Sequence, residues 1–351
     1  MTDWSSALAD RVWYGEDRLA SAMRMMLAPA ERLFGGVVGA RDILYDAGWL
    51  PAHDTPIPVV SVGNLTVGGT GKTPIAAWIA HGLLARDAHP AIVLRGYGGD
   101  ETLVHKRLNP MIPVIANADR VAGVVEAEKQ GADVAVLDDA FQHRQVQRLA
   151  DLVLISADRW TNEVCLLPAG PWREPLKSIR RATLVIVTRK SADDRVVERV
   201  HATLSQVAPA IPRVSVRFEL GELVDAAGGR DPMPLERIAG AEVHAVLSIA
   251  DPHAFVHQLE QRGARVRATI RPDHHAFSSR EIEQIASEIR EREWVVCTLK
   301  DAVKLAPHWP RLAPPLLYVS QHVMVERGVG GIERVLDDLV RARSKTPSTA
   351  G

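Results

Sequence analysis

The chain has 351 residues, of which 46% are hydrophobic and 24% charged, and its formal net charge is −1. This length suggests about two domains, and the balance of apolar and charged residues is typical of a folded, soluble-type protein. The near-neutral charge argues against bulk nucleic-acid binding, and two cysteines without C-x-x-C spacing argue against a disulfide framework or a zinc site. No run approaches the roughly 20 apolar residues that span a bilayer, and the first residues lack a signal-peptide pattern.

Residues 1–45 show apolar side chains at three- and four-residue steps, which predicts N-terminal amphipathic helices. Arginines fall among the apolar positions, so this stripe could lie flat on an anionic membrane surface. Packing against the chain's own domain is the alternative, because most amphipathic helices face a protein core. The apolar residues are Leu8, Val12, Leu19, Met23, Met26 and Leu27, and the arginines are Arg11, Arg18 and Arg24.

A glycine-rich phosphate loop (residues 66–73) follows an apolar strand and leads into a helix. In such a loop the backbone N–H groups and the helix N-terminus bind phosphates, Lys72 reaches the β- and γ-phosphates, and the Thr73 hydroxyl ligates Mg²⁺. The strict phosphate-loop pattern has Gly at the position of Thr66. Nucleotide-switch ATPases that have a similar loop carry Lys at the position of Val67. We therefore predict ATP and Mg²⁺ as cofactors, with ATP bound by Gly68, Gly69, Thr70, Gly71, Lys72 and Thr73.

Short apolar runs alternate with helical segments from this loop onward, which predicts an α/β fold with parallel strands and helices on both faces. The alternating pattern after residue 213 instead indicates a β-ribbon, and a second strand and helix series without a phosphate loop follows it. We expect two α/β/α sandwich domains joined by this linker. The predicted divisions are residues 1–45 (amphipathic helices), 46–212 (P-loop NTPase-like, ATP-binding), 213–242 (β-ribbon linker) and 243–351 (smaller C-terminal domain).

Polar clusters follow several of the predicted strands. Asp138 and Asp139 end an apolar run in the manner of a Walker B strand, whose carboxylates hold Mg²⁺ or steer a partner residue. Asp100 lies in a glycine-rich loop after another strand, and Glu174 lies in a proline-rich loop. His274 belongs to an Asp-His-His turn, where a histidine bonded to a carboxylate could tune a general base.

Together these motifs resemble, in order and over nearly the whole chain, those of tetraacyldisaccharide 4′-kinases. The segments that carry the resemblance are residues 62–74, 95–98, 137–143, 167–174, 273–274 and 298–305. The resemblance implies a lipid kinase that moves the γ-phosphoryl group of ATP to the 4′-hydroxyl of tetraacyldisaccharide 1-phosphate, forming the bisphosphorylated lipid A precursor. It implies a peripheral enzyme on the cytoplasmic face of the bacterial inner membrane, held there by the N-terminal helices. Its partner is the lipid disaccharide, with no nucleic acid and no obligate protein partner.

The resemblance also assigns roles to single residues. It implies that Lys72 and Thr73 bind ATP and Mg²⁺ and that Tyr97 lies near the nucleotide. Asp100 would be the catalytic base, paired with His274 from the second domain, and Lys72 would also be catalytic by neutralising charge on the transferred phosphoryl group. The further metal-site candidates are Thr73, Asp138, Asp139 and Glu174.

One departure from the family pattern concerns the base. Family members place a Gly-Asp-Glu segment a couple of dozen residues beyond Arg-Gly-Tyr-Gly, whereas here residues 99–101 follow it at once. Asp119, next to Arg120, is therefore the alternative carboxylate. The competing function is a partition-type or metallocentre-insertion ATPase that acts as a nucleotide switch, which would leave the Asp273-His274 turn unused.

Overall fold

The computed structural model describes residues 3–96, 99–161 and 163–343. The chain divides into two compact units. Unit 1 comprises Met1–Tyr97, His105–Arg217 and Val325–Gly351, and unit 2 comprises Gly98–Val104 and Phe218–Met324.

The helices and strands alternate along most of the chain, as expected for parallel strands joined by crossover helices. The helices are α1 (Asp3–Tyr14), α2 (Arg18–Asp46), α3 (Lys72–Leu84), α4 (Asp100–Leu108), α5 (Arg120–Lys129), α6 (Asp194–Val207), α7 (Pro252–Gln261), α8 (Ser279–Ser287), α9 (Leu299–Leu305) and α10 (Val329–Arg343). The strands are β1 (Val59–Asn64), β2 (Pro90–Leu94), β3 (Val114–Ala116), β4 (Val134–Asp138), β5 (Ala150–Ser156), β6 (Leu184–Arg189), β7 (Arg213–Asp225), β8 (Glu242–Leu247), β9 (Arg265–Ile270), β10 (Trp294–Thr298) and β11 (Leu316–Arg327).

In unit 1 the strands follow the order β3-β2-β4-β1-β5-β6-β7, and neighbouring strands are parallel. Strands β1, β2 and β4 are buried at every position, which explains their continuous apolar runs, since parallel strands are covered on both faces. Val62 of β1 pairs with Asp138 of β4. The phosphate loop after β1 and the acidic end of β4 therefore lie at the same edge of the strands.

In unit 2 the order is β11-β10-β8-β9, again with parallel neighbours. The long strands β7 and β11 belong partly to each unit. Within unit 2 these two strands run antiparallel. Ala226 N donates to the Leu316 carbonyl oxygen, and Glu222 N, four residues earlier, donates to Ser320 Oγ, four residues later. The prediction of a mixed α/β fold with mostly parallel strands is confirmed, whereas the separate sandwich domains and the ribbon as a linker remain predictions.

Helix α10 groups with unit 1, although the predicted C-terminal domain began at residue 243 and ran to the end of the chain. The reason is its apolar face, which packs on helix α3. Leu336 is buried there, and a Cβ placed on Gly82 of α3 would lie 2.9 Å from its Cδ1 atom. Gly82 thus leaves room for Leu336.

Helices α1 and α2 belong to unit 1 and make polar bonds with its other elements. Trp13 Nε1 donates to the Pro168 carbonyl oxygen, and Glu31 accepts from the backbone N–H of Leu166. Val12 is buried, but most of the large apolar side chains of α2 face solvent. Within the described parts of the chain, no helix combines the length and apolarity needed to cross a membrane.

Candidate functional site

The phosphate loop is held by strands on two sides. Gly68 and Gly71 have φ angles of +109° and +88°, which glycine adopts without the steric cost of a Cβ. Asn64 Nδ2 donates to Thr70 Oγ1 at 2.9 Å, and Thr188 Oγ1 donates to the Thr70 carbonyl oxygen at 3.0 Å. These bonds fix the loop against β1 and β6 and leave the N-terminus of α3 available to an anion.

Thr73, in the first turn of α3, lies beside the acidic end of β4. Its hydroxyl donates to Asp138 Oδ2 at 3.0 Å. The other carboxylate oxygen, Asp138 Oδ1, is buried and has no hydrogen-bond partner among the described residues. A buried carboxylate oxygen of this kind requires an explanation, and hard oxygen donors are what Mg²⁺ prefers. The donors of Thr73 and Asp138 therefore fit Mg²⁺.

This donor set is small, which suits Mg²⁺ at a nucleotide site. No cluster of three or more His, Cys, Asp or Glu side chains that could hold a metal occurs in the described part of the chain. Mg²⁺ commonly takes one or two protein ligands and completes its shell with substrate phosphates and water. A donor set of this size would suit a metal that takes its remaining ligands from a phosphate and water.

Asp139 faces a different set of groups from its neighbour Asp138. Lys72 Nζ lies 3.7 Å from Asp139 Oδ1, and Arg173 Nη1 donates to the same oxygen at 3.3 Å. Burial opposes the charge on Asp139, but Lys72, Arg173 and Arg120 together lower the pKa of this carboxyl. The predicted acidic pair is therefore divided: Asp138 faces Thr73, and Asp139 holds the phosphate-loop lysine.

A buried histidine that sequence reasoning missed supports Asp138. His105, on α4, has a fully buried side chain, and its Nε2 atom lies 2.9 Å from Asp138 Oδ2. Thr73 and His105 thus meet the same carboxylate oxygen, and Oδ1 is left for a metal. The sequence carried no local signal for it, because a single histidine within a helix looks like any other polar position there.

Asp100 begins helix α4 and lies against His274. The two side chains are joined by a contact of 3.0 Å between Asp100 Oδ2 and His274 Nδ1. Burial raises the pKa of Asp100, but the hydrogen bond and charge of His274, with the charges of Lys300 and Lys304, outweigh this and lower the pKa to about 2. The hydrogen bond to Asp100 in turn raises the pKa of His274 above its ordinary value. The structure therefore brings these two predicted residues together.

His274 lies in a turn with an unusual backbone. Its φ angle is +61°, which is uncommon for a residue with a Cβ. Asp273 Oδ1 accepts hydrogen bonds from the His274 backbone N–H at 3.0 Å and from Lys300 Nζ at 2.7 Å. Lys300 Nζ also lies 3.1 Å from His274 Nε2. The histidine is thus fixed on both ring nitrogens.

Two other sequence candidates, Asp119 and Glu174, lie in different surroundings. Asp119 is the N-cap of α5, and its Oδ1 accepts from the backbone N–H groups of Val121 and Ala122. Glu174 is fully buried, and its two oxygens are bonded to Arg41 and Arg181 at 3.0 and 2.6 Å. The two guanidinium groups offset the charge of this carboxylate, so we omit it from the magnesium donors. Tyr97 lies outside the described residues.

The same region carries excess positive charge around His143. Burial lowers the pKa of His143, and the nearby Arg120 and Arg95 lower it further. These effects favour the neutral form of His143.

Comparisons with known proteins agree with this chemistry. A family model described as tetraacyldisaccharide-1-P 4′-kinase matches residues 23–341. The tetraacyldisaccharide 4′-kinase of Anaeromyxobacter sp. (strain Fw109-5) is 36% identical, over 89% of this chain and 90% of its own, and that of Chlorobaculum tepidum is 34% identical, over 90% and 98%. The crystal structure of LpxK from Aquifex aeolicus in complex with ATP has a TM-score of 0.69 and 28% identity, covering 91% of this chain and 99% of its own.

Proposed function

Because the chain belongs to the tetraacyldisaccharide-1-P 4′-kinase family, we propose that it transfers the γ-phosphoryl group of ATP to the 4′-hydroxyl of tetraacyldisaccharide 1-phosphate. The product would be the bisphosphorylated precursor of lipid A. The contact between Thr73 and Asp138, next to the phosphate loop, is the observation that supports phosphoryl transfer most directly.

The nucleotide end of the proposed site is formed by unit 1. The phosphate loop and the N-terminus of α3 would hold the phosphates, and Lys72 would exchange part of its contact with Asp139 for the β- and γ-phosphates. Thr73 and Asp138 would hold Mg²⁺, which when bound neutralises charge on the phosphoryl oxygens. Asp139 then keeps Lys72 extended toward the loop. Arg173, on the same carboxylate, limits how far Asp139 can move.

Asp100 is the proposed base for the sugar hydroxyl. A pKa of about 2 makes it a weak base but ensures that it is ionised at any physiological pH. Phosphoryl transfer passes through a loose transition state with little bonding to the attacking oxygen, so the catalytic group chiefly orients the hydroxyl and takes its proton as the new bond forms. The hydrogen bond between His274 Nδ1 and Asp100 Oδ2 fixes the orientation of the Asp100 carboxylate.

We further propose that α2 carries the enzyme on the membrane surface. Six large apolar side chains of α2 are exposed, and four of them recur at steps of seven and four residues, so they lie on one face of the helix. Those four are Leu19, Met26, Leu33 and Val37, which are 53%, 82%, 72% and 62% exposed. An exposed stripe of this size on one helix marks an interaction surface, and a substrate with four acyl chains resides in a membrane.

Incubation with γ-labelled ATP and the lipid disaccharide in detergent micelles tests the activity. We expect label on the lipid, and Asp100→Ala and His274→Ala should each lower kcat by about 10² to 10⁴ while leaving ATP binding nearly intact. Label released only as free phosphate, at the same rate with and without lipid, would instead indicate the competing nucleotide-switch ATPase. ATP binding by calorimetry serves as the folding control for each variant.

A further inference from the structure

Lys300 lies in the first turn of α9 and reaches the ring nitrogen of His274 that faces away from Asp100. Its Nζ atom lies 3.1 Å from His274 Nε2 and 2.7 Å from Asp273 Oδ1. On the other side of the ring, Nδ1 lies 3.0 Å from Asp100 Oδ2. The three side chains Lys300, His274 and Asp100 therefore form a continuous row.

The chemistry of the two ends determines the state of the ring. A lysine ammonium has three donors and no acceptor, so His274 Nε2 can bond to it only through a lone pair. A carboxylate is an acceptor only, so Nδ1 must carry the proton that faces Asp100. We propose that Lys300 is a positioning residue that opposes protonation of His274 Nε2 and keeps the Nδ1–H of the ring directed at Asp100.

The backbone of the turn gives independent support. His274 has a φ angle of +61°, a conformation that persists in a non-glycine residue only when its surroundings enforce it. Lys300 bonds both to the ring of His274 and to the Asp273 carboxylate that accepts from the His274 backbone N–H. One side chain therefore restrains both the ring and the backbone of the strained residue.

The neighbouring lysine of α9 makes different contacts. Lys304 Nζ bonds to Ser248 Oγ, lies 3.4 Å from Asp301 Oδ1 and points over the ring of Phe277. Its side chain is only 12% exposed, so it has a structural position within unit 2. Lys300 is thus the lysine of this helix that contacts the catalytic histidine.

Charges around the row set the direction of its pH dependence. The groups that act on His274 are Asp100, Asp273 and Lys300; the two carboxylates raise its pKa, and Lys300 lowers it. The groups that act on Asp100 are His274, Lys300 and Lys304, which all lower its pKa against the effect of burial. Removing the charge of Lys300 should therefore raise the pKa of His274 and favour its doubly protonated form.

The proposal rests on the proposed roles of Asp100 and His274, but it can be measured without turnover. The experiment is two-dimensional NMR of protein with ¹⁵N-labelled histidine rings, with the His274 signals assigned by their loss in His274→Gln. In the unsubstituted protein we expect the Nδ1-protonated tautomer. In Lys300→Met we expect a higher His274 pKa and therefore a larger doubly protonated fraction at neutral pH, and Lys300→Arg should restore the original pKa because it keeps a cationic donor.

Kinetics supply the second measurement. Lys300→Met should lower kcat about tenfold, less than loss of the base itself, with the KM for ATP unchanged and the acid limb of the pH profile moved to higher pH. Lys129→Met, at an exposed lysine of α5, is the matched control and should change neither measurement. An unchanged His274 pKa in folded Lys300→Met would overturn the proposal. If Asp100→Asn kept full activity, the assignment of the base would fail, and the NMR result would still decide the role of Lys300.

Discussion

His105 Nε2 lies 2.9 Å from Asp138 Oδ2, and the two side chains are 0% and 3% exposed. This contact ties helix α4 to the carboxyl end of strand β4. The same helix begins with Asp100, five residues before His105, which corresponds to about 7.5 Å along a helix axis. A single helix therefore carries the proposed base and the residue that orients the proposed magnesium ligand.

His105→Ala is expected to weaken Mg²⁺ binding. Without the ring, Asp138 keeps only its hydrogen bond from Thr73, and loss of a bond that orients a metal ligand typically costs about 10- to 100-fold in metal affinity. Mn²⁺ binding in the presence of ATP, followed by electron paramagnetic resonance, measures this directly. The Mg²⁺ concentration that gives half-maximal activity should rise by a similar factor.

Two variants separate orientation of Asp138 from a general loss of stability. His105→Gln retains an N–H donor at a similar distance along the side chain and should recover much of the affinity. His53→Ala, at an exposed histidine, should behave as the unsubstituted protein. Normal Mn²⁺ affinity in folded His105→Ala would show that His105 contributes packing only.

The two candidate bases, Asp100 and Asp119, differ in the hydrogen-bond partners of their carboxylates. Asp119→Ala removes the N-cap of α5, so we expect a loss of about 1 kcal/mol in the free energy of unfolding and an unchanged kcat. Asp100→Ala should have the opposite profile, with a large loss of kcat. Urea denaturation and initial rates measure the two effects. A kcat loss confined to Asp119→Ala would transfer the role of base to that residue.

Much of the fold was predictable because parallel, doubly covered strands leave a strong signal in the sequence. The apolar run at residues 134–137 corresponds to β4, and that at residues 184–187 lies within β6. The position of α10 was not predictable in this way. Its apolar face has the same helical period whichever unit it packs on, so only the contact with α3 decides the matter.

The candidate site was partly predictable for a related reason. Lys72, Thr73 and Asp138 follow strand ends in a local motif, so chain order alone places them at one edge. His105 and Lys300 lie inside helices, and their roles depend on contacts with Asp138 and His274 that are distant in sequence. No local pattern distinguishes such residues from other polar positions on a helix surface.

Glu174 illustrates the limit of assigning charge by motif. Glu174→Gln weakens two buried bonds to Arg41 and Arg181, so we expect a loss of about 3 kcal/mol in the free energy of unfolding. The Mg²⁺ dependence of activity should stay unchanged, because the carboxylate already uses both oxygens. Glu198→Gln, which breaks an exposed pair with Arg327, is the matched control and should cost less than about 1 kcal/mol. A shift in Mg²⁺ dependence with Glu174→Gln would return this residue to the metal site.

The Asp100 and His274 pair should also make stability depend on pH. The pKa of His274 is raised in the folded chain, so its contribution is fully present below the unfolded value of 6.5 and is lost as pH rises through the folded value. Asp100 contributes above its unfolded value of 3.8 and loses this as pH falls through about 2. The difference in unfolding free energy between the unsubstituted protein and His274→Gln should therefore shrink from pH 6 to pH 9. His53→Gln should show no such trend, and a difference that grew with pH would contradict the pairing.

Met26→Glu tests the proposed membrane surface of α2. Met26 is 82% exposed, so a charge at this position should change the stability of the fold little. The charge would oppose membrane binding, because the apolar stripe would carry it into the membrane interface. We expect the affinity for phosphatidylethanolamine and phosphatidylglycerol vesicles, measured by sedimentation, to fall about tenfold. Gln130→Glu makes the same change of charge at the exposed C-cap of α5 and should bind normally. Equal binding by the two variants would mean that the stripe does not enter the membrane, because charge repulsion alone would act on both.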